Sequence, residues 1–421
     1  MEHLRVISVL EHEVIPIADG AGPVDGAKDT AWISEADAST LVSLNRLRKG
    51  FCEQEAGGVK LAQHCGIVRL PSCVLEILPK IGISDTRKAN ELDRSRAALL
   101  NMLHHARQIT MTNVGAVPQR TVNAPLLDVF IDTFLGCALD QARRGLLARY
   151  VTHVDDLSVL KGRLHVHGHI RRNLTRPHLL HCEHDEFTGD NAYNRAIRAT
   201  LNICQSWGSH PSTRRRWFET HARFAGITSV SMTAADVARL PRNRTTRRYE
   251  PVLKWCEWLL SMNSPSMSAG ATHAPGLLFD MNKLFEAHVS RLEGVAAGEA
   301  YVVSTQGPKL ALATSNGEEA FELKPDVIIW HPASNGVPTR IVRILDAKWK
   351  RLDHQDPRWG VQQTDIYQLL AYAIRYRCRH LELVYPAPSD NLIESNGAPF
   401  FEIMAPGLDE KIEVRIKTVS V

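Results

Sequence analysis

Two acidic residues near the end of the chain lie where an ionised carboxylate needs a partner. Asp326 stands in the apolar segment LKPDVII and Asp346 in ILDAKWK, and both segments have the composition of strands. A charge buried in such a strand is costly unless another group compensates it. Because the stretch 331–339 is rich in turn residues and predicts a loose hairpin, both carboxylates can meet at one end of a sheet. Two hard oxygen ligands at close range would bind Mg²⁺.

Lys348 adds a cation to this pair of acids. It follows Asp346 by two positions, so in a strand both side chains point to the same face. A lysine beside a metal-bound phosphate can orient the attacking water and offset the charge of the transition state. A D-x-K sequence alone is more simply explained as a surface ion pair. The upstream Pro-Asp and the intervening hairpin favour a phosphodiester-hydrolysing site instead.

Two predicted helices flank the acids and contribute further candidates. Glu286, in the predicted helix 281–293, could reach the metal from the side, although a solvated helix acid is the alternative. In the predicted helix 359–377, Gln368 and Tyr372 are four residues apart and share one face. They could hydrogen-bond the DNA backbone or hold the lysine, or simply form the polar stripe of an amphipathic helix.

The elements that must position these side chains are strands and helices in about equal measure. Strand signals dominate residues 1 to about 85, interrupted by a helix predicted from the N-cap Ser34 to Gly50. Further predicted helices span 87–108, 124–150, 191–207, 214–225 and 250–262, and predicted strands span 160–172, 300–305, 309–314, 319–330, 340–350 and 381–386. These patterns predict a multidomain chain of the α+β or α/β class.

The clearest boundary is an uncharged segment rich in Ser, Gly, Ala and Pro, residues 263–276, which predicts a linker. At about 150 residues per domain, 421 residues allow two or three domains. We therefore predict a β-rich N-terminal domain at 1–119, a mainly helical middle region at 120–262, and a C-terminal domain with a mixed sheet flanked by helices at 277–421.

Composition excludes several classes of protein. The hydrophobic share of 44% and the charged share of 23% are ordinary globular values, which argues against disorder and collagen-like repeats. The net charge of +4 is too small to argue for or against nucleic acid, and arginine outnumbers lysine by more than two to one. No segment approaches the ~18–20 apolar residues of a membrane span, and no signal peptide is evident. The eight scattered cysteines predict reduced thiols, hence a cytoplasmic protein without membrane partners.

The motifs together resemble the McrC family, the nuclease subunits of McrBC modification-dependent restriction systems, within the PD-(D/E)xK nuclease superfamily. The resembling segments, in chain order, are VLEILPKI (74–81), SRAALLNML (95–103), GLLARY (145–150), LKGRL (160–164), NAYNRAI (191–197), FDMNKLFEAHV (279–289), LKPDVII (323–329), DAKWK (346–350) and DIYQLLAYA (365–373). The family's usual D-A-K-Y-K has Trp349 in its aromatic position here. An ordered set of this kind is more specific than any one motif.

The resemblance implies a restriction-endonuclease-like C-terminal domain that cuts both strands of double-stranded DNA. The implied roles are metal ligands at Asp326, Asp346 and the Ala347 carbonyl, an additional acid at Glu286, the catalytic lysine at Lys348, and supporting residues at Gln368 and Tyr372. The implied cofactor is Mg²⁺, with Mn²⁺ as a substitute. No nucleotide is expected on this chain, and no G-x-x-x-x-G-K-[ST] motif occurs.

The resemblance also implies a partner, a hexameric McrB-like AAA+ GTPase that recognises 5-methylcytosine and is stimulated by the N-terminal region of the McrC-like subunit. Candidate contacts to that GTPase are Glu76, Lys80, Asp85 and Arg87, although ordinary surface charges explain them equally well. Two rival functions stay open: a stand-alone or repair-type PD-(D/E)xK nuclease, and a non-catalytic adaptor that activates the GTPase.

Two weaker signals lie in the middle region. Arginines cluster beside an aromatic residue at Arg214, Arg215 and Arg216 with Trp217, and at Arg242, Arg244, Arg247 and Arg248 with Tyr249. They suit DNA phosphates, a partner surface or a solvated helix end. Alternating histidines at His165, His167 and His169 are followed by His178, His181, Cys182 and His184. The spacing fits no closed zinc module, so a polar strand face is preferred to a zinc site.

Overall fold

The computed structural model describes residues 5–18, 31–46, 49–81, 89–106, 124–208, 210–262, 276–305, 307–332, 339–387, 400–404 and 411–421. Its α-helices are α1 (Glu35–Ser43), α2 (Ala89–His105), α3 (Leu126–Arg143), α4 (Val166–Asn173), α5 (Ala192–Trp207), α6 (Pro211–Arg223), α7 (Ala234–Ala238), α8 (Glu250–Met262), α9 (Met281–Ala297) and α10 (Gln363–Tyr376). Its strands are β1 (Arg5–Leu10), β2 (Val14–Pro16), β3 (Cys52–Glu55), β4 (Gly58–Leu61), β5 (His64–Arg69), β6 (Cys73–Leu78), β7 (Arg149–Leu157), β8 (Arg163–Leu164), β9 (Leu180–Thr188), β10 (Gly276–Asp280), β11 (Val302–Thr305), β12 (Leu310–Ser315), β13 (Glu318–Leu323), β14 (Val327–His331), β15 (Arg340–Ala347), β16 (His380–Ala387), β17 (Phe400–Ile403) and β18 (Ile412–Ser420).

The described residues form two compact units. The middle unit contains those of 124–277 together with Arg5, and the composite unit contains those of 6–123 and 278–421. The described parts of the chain that were expected to form the first and last domains therefore share one unit. The three-part division with its linker stays a prediction, since residues 263–275 lie outside the described chain. Among the described helices, none is both long and apolar enough to cross a membrane.

The composite unit is built around a six-stranded mixed sheet with the order β11–β14–β15–β16–β18–β17. Strand β15 pairs antiparallel with β14 and parallel with β16, and β16 pairs parallel with β18. The predicted mixed sheet is thereby confirmed. A second sheet, β1–β6–β5–β10, and the small sheet β2–β4–β3 supply the strands expected early in the chain.

Helices α9 and α10 pack on this sheet and form its core. Tyr372 and Leu369 of α10 lie in one buried cluster with Ile344 of β15 and Leu383 of β16. Helix α9 contacts β14 and β15, and it also packs on α2. The His288 ring of α9 stacks on His105 of α2 at a centroid distance of 4.9 Å. Helix α9 therefore connects the early part of the chain to the sheet.

Helix α1 confirms its predicted start but ends earlier than predicted. The Ser34 hydroxyl accepts from the Asp37 amide at 3.2 Å, and the Asp37 carboxylate accepts from the Ser34 amide, which is a complete capping box. The helix ends at Ser43 rather than Gly50, because the Asn45 side chain accepts from the amides of Phe51 and Cys52. This side-chain bridge turns the backbone toward β3.

Two predictions for the middle unit are wrong. The helix predicted over 124–150 stops at Arg143, because Gly145, with φ +84°, provides the left-handed residue that ends a helix. The strand predicted over 160–172 is only the two-residue β8, after which His165 caps helix α4 by accepting from the Gly168 amide at 3.1 Å. Three histidines at alternate positions therefore do not share a strand face.

The predicted long strand 319–330 is two strands, β13 and β14. Pro325 interrupts it, because proline cannot donate to a ladder, and the break leaves Asp326 at the entrance to β14. Strands β17 and β18 were not predicted, although the segment IEVRIKTVS alternates as an edge-proximal strand should. Both lie on the far side of the sheet from β14.

Glu76, a candidate partner-binding residue, is fully buried in β6. The Arg96 guanidinium of α2 donates to both of its carboxylate oxygens, at 2.9 Å and 2.8 Å, and only 7% of the Arg96 side chain is exposed. Asp93 holds the same guanidinium at 2.7 Å. The structure thus gives the Glu76 carboxylate an internal partner and removes it from the protein surface.

Replacing Arg96 with Met should destabilise the composite unit, because the Glu76 carboxylate stays buried without its guanidinium. We expect the free energy of unfolding to fall by about 3–5 kcal/mol in a urea titration. The matched control is Arg94→Met at the exposed neighbouring position, which should change it by less than about 0.5 kcal/mol. Equal losses in the two variants would contradict a structural role for the buried pair.

Candidate active site

The hairpin β14–β15 brings the two predicted acids together. Asp326 immediately precedes β14 and Asp346 lies near the end of β15, where Val327 pairs with Leu345. The Asp326 carboxylate accepts a hydrogen bond from the Ala347 amide at 2.8 Å. This bond places Asp326 beside the backbone of the residue that follows Asp346.

Lys348 forms the cationic centre of the site. Its ammonium nitrogen lies 2.6 Å from an Asp346 carboxylate oxygen and 3.4 Å from Asp365, and only 18% of its side chain is exposed. Burial alone would lower the pKa of Lys348, but the attraction of Asp346 and Asp365 outweighs it and raises that pKa. The lysine therefore keeps its positive charge in a largely water-excluded place.

A chain of hydrogen bonds fixes the lysine from helix α10. The Lys348 ammonium donates to the Gln368 amide oxygen at 3.0 Å, and the Gln368 amide nitrogen donates to the Tyr372 hydroxyl at 2.7 Å. The Tyr372 hydroxyl in turn donates to the backbone carbonyl of Lys324 at 3.0 Å. Of the alternatives open for Gln368 and Tyr372, the contacts match the one in which they hold the lysine.

Three carboxylates repel one another at this site. Burial, followed by the charges of Asp346 and Glu286, raises the pKa of Asp326 to about 8. Burial, followed by the charges of Asp346 and Asp280, also raises the pKa of the half-buried Glu286. Burial raises the pKa of Asp346 as well, in spite of Lys348. The predicted acids thus lie close together, and a bound cation would reduce the repulsion between their negative charges.

The donor set fits a magnesium ion that shares its ligands with a substrate. No three His, Cys, Asp or Glu side chains in the described ranges are arranged to hold a metal ion by themselves. Mg²⁺ usually takes one or two carboxylates and completes its shell with water and substrate phosphates. Asp326 and Asp346 provide two such carboxylates, and Glu286 and the Ala347 carbonyl stay candidate ligands.

Asp365 is a site residue that the sequence reasoning missed. It is buried in the first turn of α10, and its carboxylate oxygens lie 3.4 Å from the Lys348 ammonium and 3.5 Å from that of Lys350. The signal was present, since Asp365 precedes Gln368 by three residues and Tyr372 by seven, which is one helix face.

The aromatic neighbours of the predicted arginine clusters are buried. The Trp217 indole donates to the Leu201 carbonyl at 2.7 Å, and the Tyr249 hydroxyl donates to Asn194 at 2.9 Å. Neither ring can stack on a nucleic-acid base in this arrangement. Within the middle unit, Arg216 pairs with Asp132, and Arg248 donates to the Gly145 carbonyl.

The other arginines are solvent-facing. Arg214, Arg215, Arg244 and Arg247 are exposed, and exposed Arg242 pairs with Glu257. Contact with DNA or with a partner protein remains a prediction for this group.

One of the histidines of the middle unit, His181, has an ordinary structural role. His181 is buried and lies 2.7 Å from Asp156, which also accepts from Asn173 at 2.7 Å. Gly168 packs against this imidazole so closely that a Cβ atom would come within 2.4 Å of it. The polar strand face preferred for these histidines is wrong at His167 and His169, which lie in α4, and the absence of a zinc site stays a prediction.

Of the remaining candidate contacts to a partner, Lys80 lies in the described chain just after β6, and its amide donates to Glu11 at 3.0 Å. Asp85 and Arg87 lie outside the described residues.

Fold and site together define a mixed α/β protein whose central sheet carries a carboxylate–lysine centre. Residues 59–386 match the family model described as "McrBC 5-methylcytosine restriction system component". The chain belongs to this McrBC family. The comparison with curated proteins gives no match.

Two solved structures from Thermococcus gammatolerans have similar folds. A chain in the refined half-complex from the tetradecameric assembly of McrB AAA+ hexamers with bound McrC is 19% identical with a TM-score of 0.70, and the match covers 99% of this chain and 94% of that one. A chain in the cryo-EM structure of the McrBC complex is 21% identical with a TM-score of 0.51, and the match covers 68% of this chain and 87% of that one. The long match with the first structure supports one shared fold.

The crowded acids and the lysine predict opposite stability changes for two substitutions. Asp326→Asn keeps an acceptor for the Ala347 amide and removes a repelled charge, so in EDTA the free energy of unfolding should rise by about 1–3 kcal/mol. Lys348→Met leaves Asp346 and Asp365 without their cation and should lower it by about 3–5 kcal/mol. Urea titrations measure both changes.

The gain for Asp326→Asn should be larger at pH 8 than at pH 6. The folded wild-type protein holds the Asp326 proton that the unfolded chain releases, so its stability falls as pH rises between these values, and the neutral amide escapes this loss. A loss of stability in Asp326→Asn at both pH values would contradict the crowding of the acids.

Proposed function

We propose that this chain is the metal-dependent DNA endonuclease subunit of a GTP-dependent, modification-dependent restriction complex. The observation that carries the proposal is the convergence of Asp326, Asp346 and Lys348, three residues drawn from two strands and their connections, at one end of the sheet. A surface ion pair would not require burial or a further hydrogen-bond chain to hold the lysine. Membership of the McrBC family supports the same function.

The chain's own residues supply binding, orientation and charge. Asp326 and Asp346 would hold Mg²⁺, which when bound polarises a phosphoryl oxygen and lowers the pKa of a water molecule. Lys348 places a permanent positive charge where negative charge develops on the scissile phosphate. Asp346 and Asp365 keep this ammonium charged, and burial strengthens its field by excluding water.

Helix α10 acts as the positioning element. Gln368 holds the ammonium and Tyr372 holds Gln368, while the tyrosine hydroxyl is anchored on the backbone of Lys324, two residues before Asp326. The lysine and the first acid are thus fixed relative to one another through α10. Such preorganisation lowers the cost of arranging the charges when substrate arrives.

An AAA+ GTPase is the proposed partner. A solved structure whose match covers 99% of this chain is of McrB AAA+ hexamers with bound McrC, and this chain carries no phosphate-binding loop motif of its own. We propose that an McrB-like partner hydrolyses GTP, recognises 5-methylcytosine and delivers DNA to the site described above. A net charge of only +4 suits a subunit that receives DNA and need not capture it with a strong basic field.

The test uses the complex of the full chain with its McrB-like GTPase, methylated plasmid DNA, GTP and Mg²⁺. Lys348→Ala should lower the cleavage rate by at least about 100-fold, because it removes the charge that stabilises the transition state. The stimulated GTPase rate should stay within about twofold of wild type, since none of the roles proposed for this site involves the nucleotide. Gel analysis of the plasmid and phosphate release measure the two rates.

Lys411→Ala is the matched control, since this lysine pairs with Glu402 at the surface, before β18 begins, and should change neither rate. Undiminished cleavage by Lys348→Ala would sink the nuclease assignment and favour a non-catalytic adaptor. Metal-dependent cleavage by the wild-type chain without GTP or partner would favour a stand-alone nuclease.

A further inference from the structure

A cavity of about 300 Å³ lies beside the candidate active site within the composite unit. Its lining residues are Glu11, His12, Lys80, Ile81, Trp349, Lys350, Arg351 and Pro386. They come from the turn after β1, the end of β6, the segment after β15 and the end of β16. The volume is at the lower end of the range for small-ligand pockets. Because Trp349 directly follows Lys348, a ligand in the cavity lies next to the candidate active site.

The floor of the cavity is the buried carboxylate of Glu11, one oxygen of which accepts no hydrogen bond from the described residues. Glu11 is 2% exposed, and its Oε1 accepts from the Lys80 amide at 3.0 Å and from the Trp349 indole at 2.9 Å. Its Oε2 has no hydrogen-bond partner among the described residues, and the His12 ring nitrogen is 3.9 Å away. A buried polar atom without a partner is costly, so this oxygen suits a ligand that donates a hydrogen bond.

The wall of the cavity is a fixed aromatic ring. Trp349 is held on one side by Phe285, at a ring-centroid distance of 5.4 Å, and at its indole nitrogen by Glu11. Pro386 and Ile81 add apolar surface. An aromatic side chain held in one orientation is the usual platform on which proteins stack an unpaired base.

The mouth of the cavity is basic. Lys350 and Arg351 are exposed there, together with His12, which has the left-handed φ of +63°. Lys350 also lies 3.2 Å from Gln362 and 3.5 Å from Asp365, which ties the mouth to α10. Positive side chains around an opening favour a ligand with a phosphate group on its outer side.

We propose that this cavity binds one unpaired nucleotide of the DNA strand beside the bond that is cut. The base stacks on Trp349, its exocyclic amino group donates to Oε2 of Glu11, and its phosphate lies near Lys350 and Arg351. A carboxylate accepts from the amino group of cytosine and repels the carbonyl oxygen that thymine has at the same ring position, so cytosine is preferred to thymine. The proposal rests on the nuclease function proposed above and adds a nucleotide-binding site to it.

The experiment measures DNA binding to the full chain in EDTA at pH 8, where no cleavage occurs. Four fluorescent duplexes of one sequence are compared by anisotropy: fully paired, and with a single unpaired cytosine, thymine or abasic nucleotide. We expect the duplex with unpaired cytosine to bind about tenfold more tightly than the abasic one, as base stacking on an aromatic side chain predicts. Equal binding of the cytosine and abasic duplexes overturns the proposal.

Three substitutions separate the parts of the cavity. Trp349→Ala should remove the preference for cytosine over the abasic nucleotide, whereas Trp349→Phe should keep it, because phenylalanine still stacks. Glu11→Gln keeps the shape of the side chain but turns an acceptor into a donor, so the preference should shift from cytosine toward thymine. Arg351→Ala should weaken binding of all four duplexes alike, since a phosphate contact carries no sequence information.

Controls keep this proposal distinct from the nuclease assignment. Lys348→Ala should retain the preference for cytosine, because the cavity needs no catalysis, and Lys411→Ala should behave as wild type. A preference that survives both Trp349→Ala and Glu11→Gln overturns the cavity as its origin. If Trp349→Ala does not fold, the direction of the shift in Glu11→Gln decides the question alone.

Discussion

The ion pair between Lys348 and Asp346 is the constraint on which the candidate active site of the composite unit depends. Its two atoms lie 2.6 Å apart in a place where the carboxylate is 2% exposed, so each charge is tolerable only because the other is there. The same low exposure makes every further charge in the neighbourhood expensive. Asp326, Glu286 and Asp365 are nevertheless present. The pKa values of Asp326 and Glu286 are raised, and Lys350 lies beside Asp365 as a second cation.

This concentration of charge explains why so many elements meet at one point. Strand β15 supplies the acid and the lysine, the hairpin partner β14 is preceded by the second acid, and α10 supplies the side chains that fix the lysine. Helix α9, which packs on β14 and β15, adds Glu286. A site of this kind is less stable than an apolar packing of the same volume, which is the usual cost of function at an active site.

A polar contact links the early part of the chain to this site. The Trp349 indole, adjacent to Lys348, donates to Glu11, which lies 338 positions away in sequence. Helix α2 adds the His105–His288 stack on the other side of α9. The same Glu11–Trp349 contact closes the floor of the cavity beside the site.

The sequence by itself determined the types and the order of the site residues. Asp326, Asp346, Lys348, Gln368 and Tyr372 followed from strand alternation and helical spacing, because those periods depend only on local backbone geometry. The ordered motifs also sufficed to name the family. Local sequence failed where a side chain caps the backbone, as His165 does at α4, or where a loop residue such as Asn45 ends a helix early.

Only the tertiary structure decided which charges are buried. It placed Glu76 with Arg96, turned Trp217 and Tyr249 inward, added Asp365 to the lysine and set Glu11 under Trp349. Burial depends on contacts between residues far apart in the chain, and no local pattern records them.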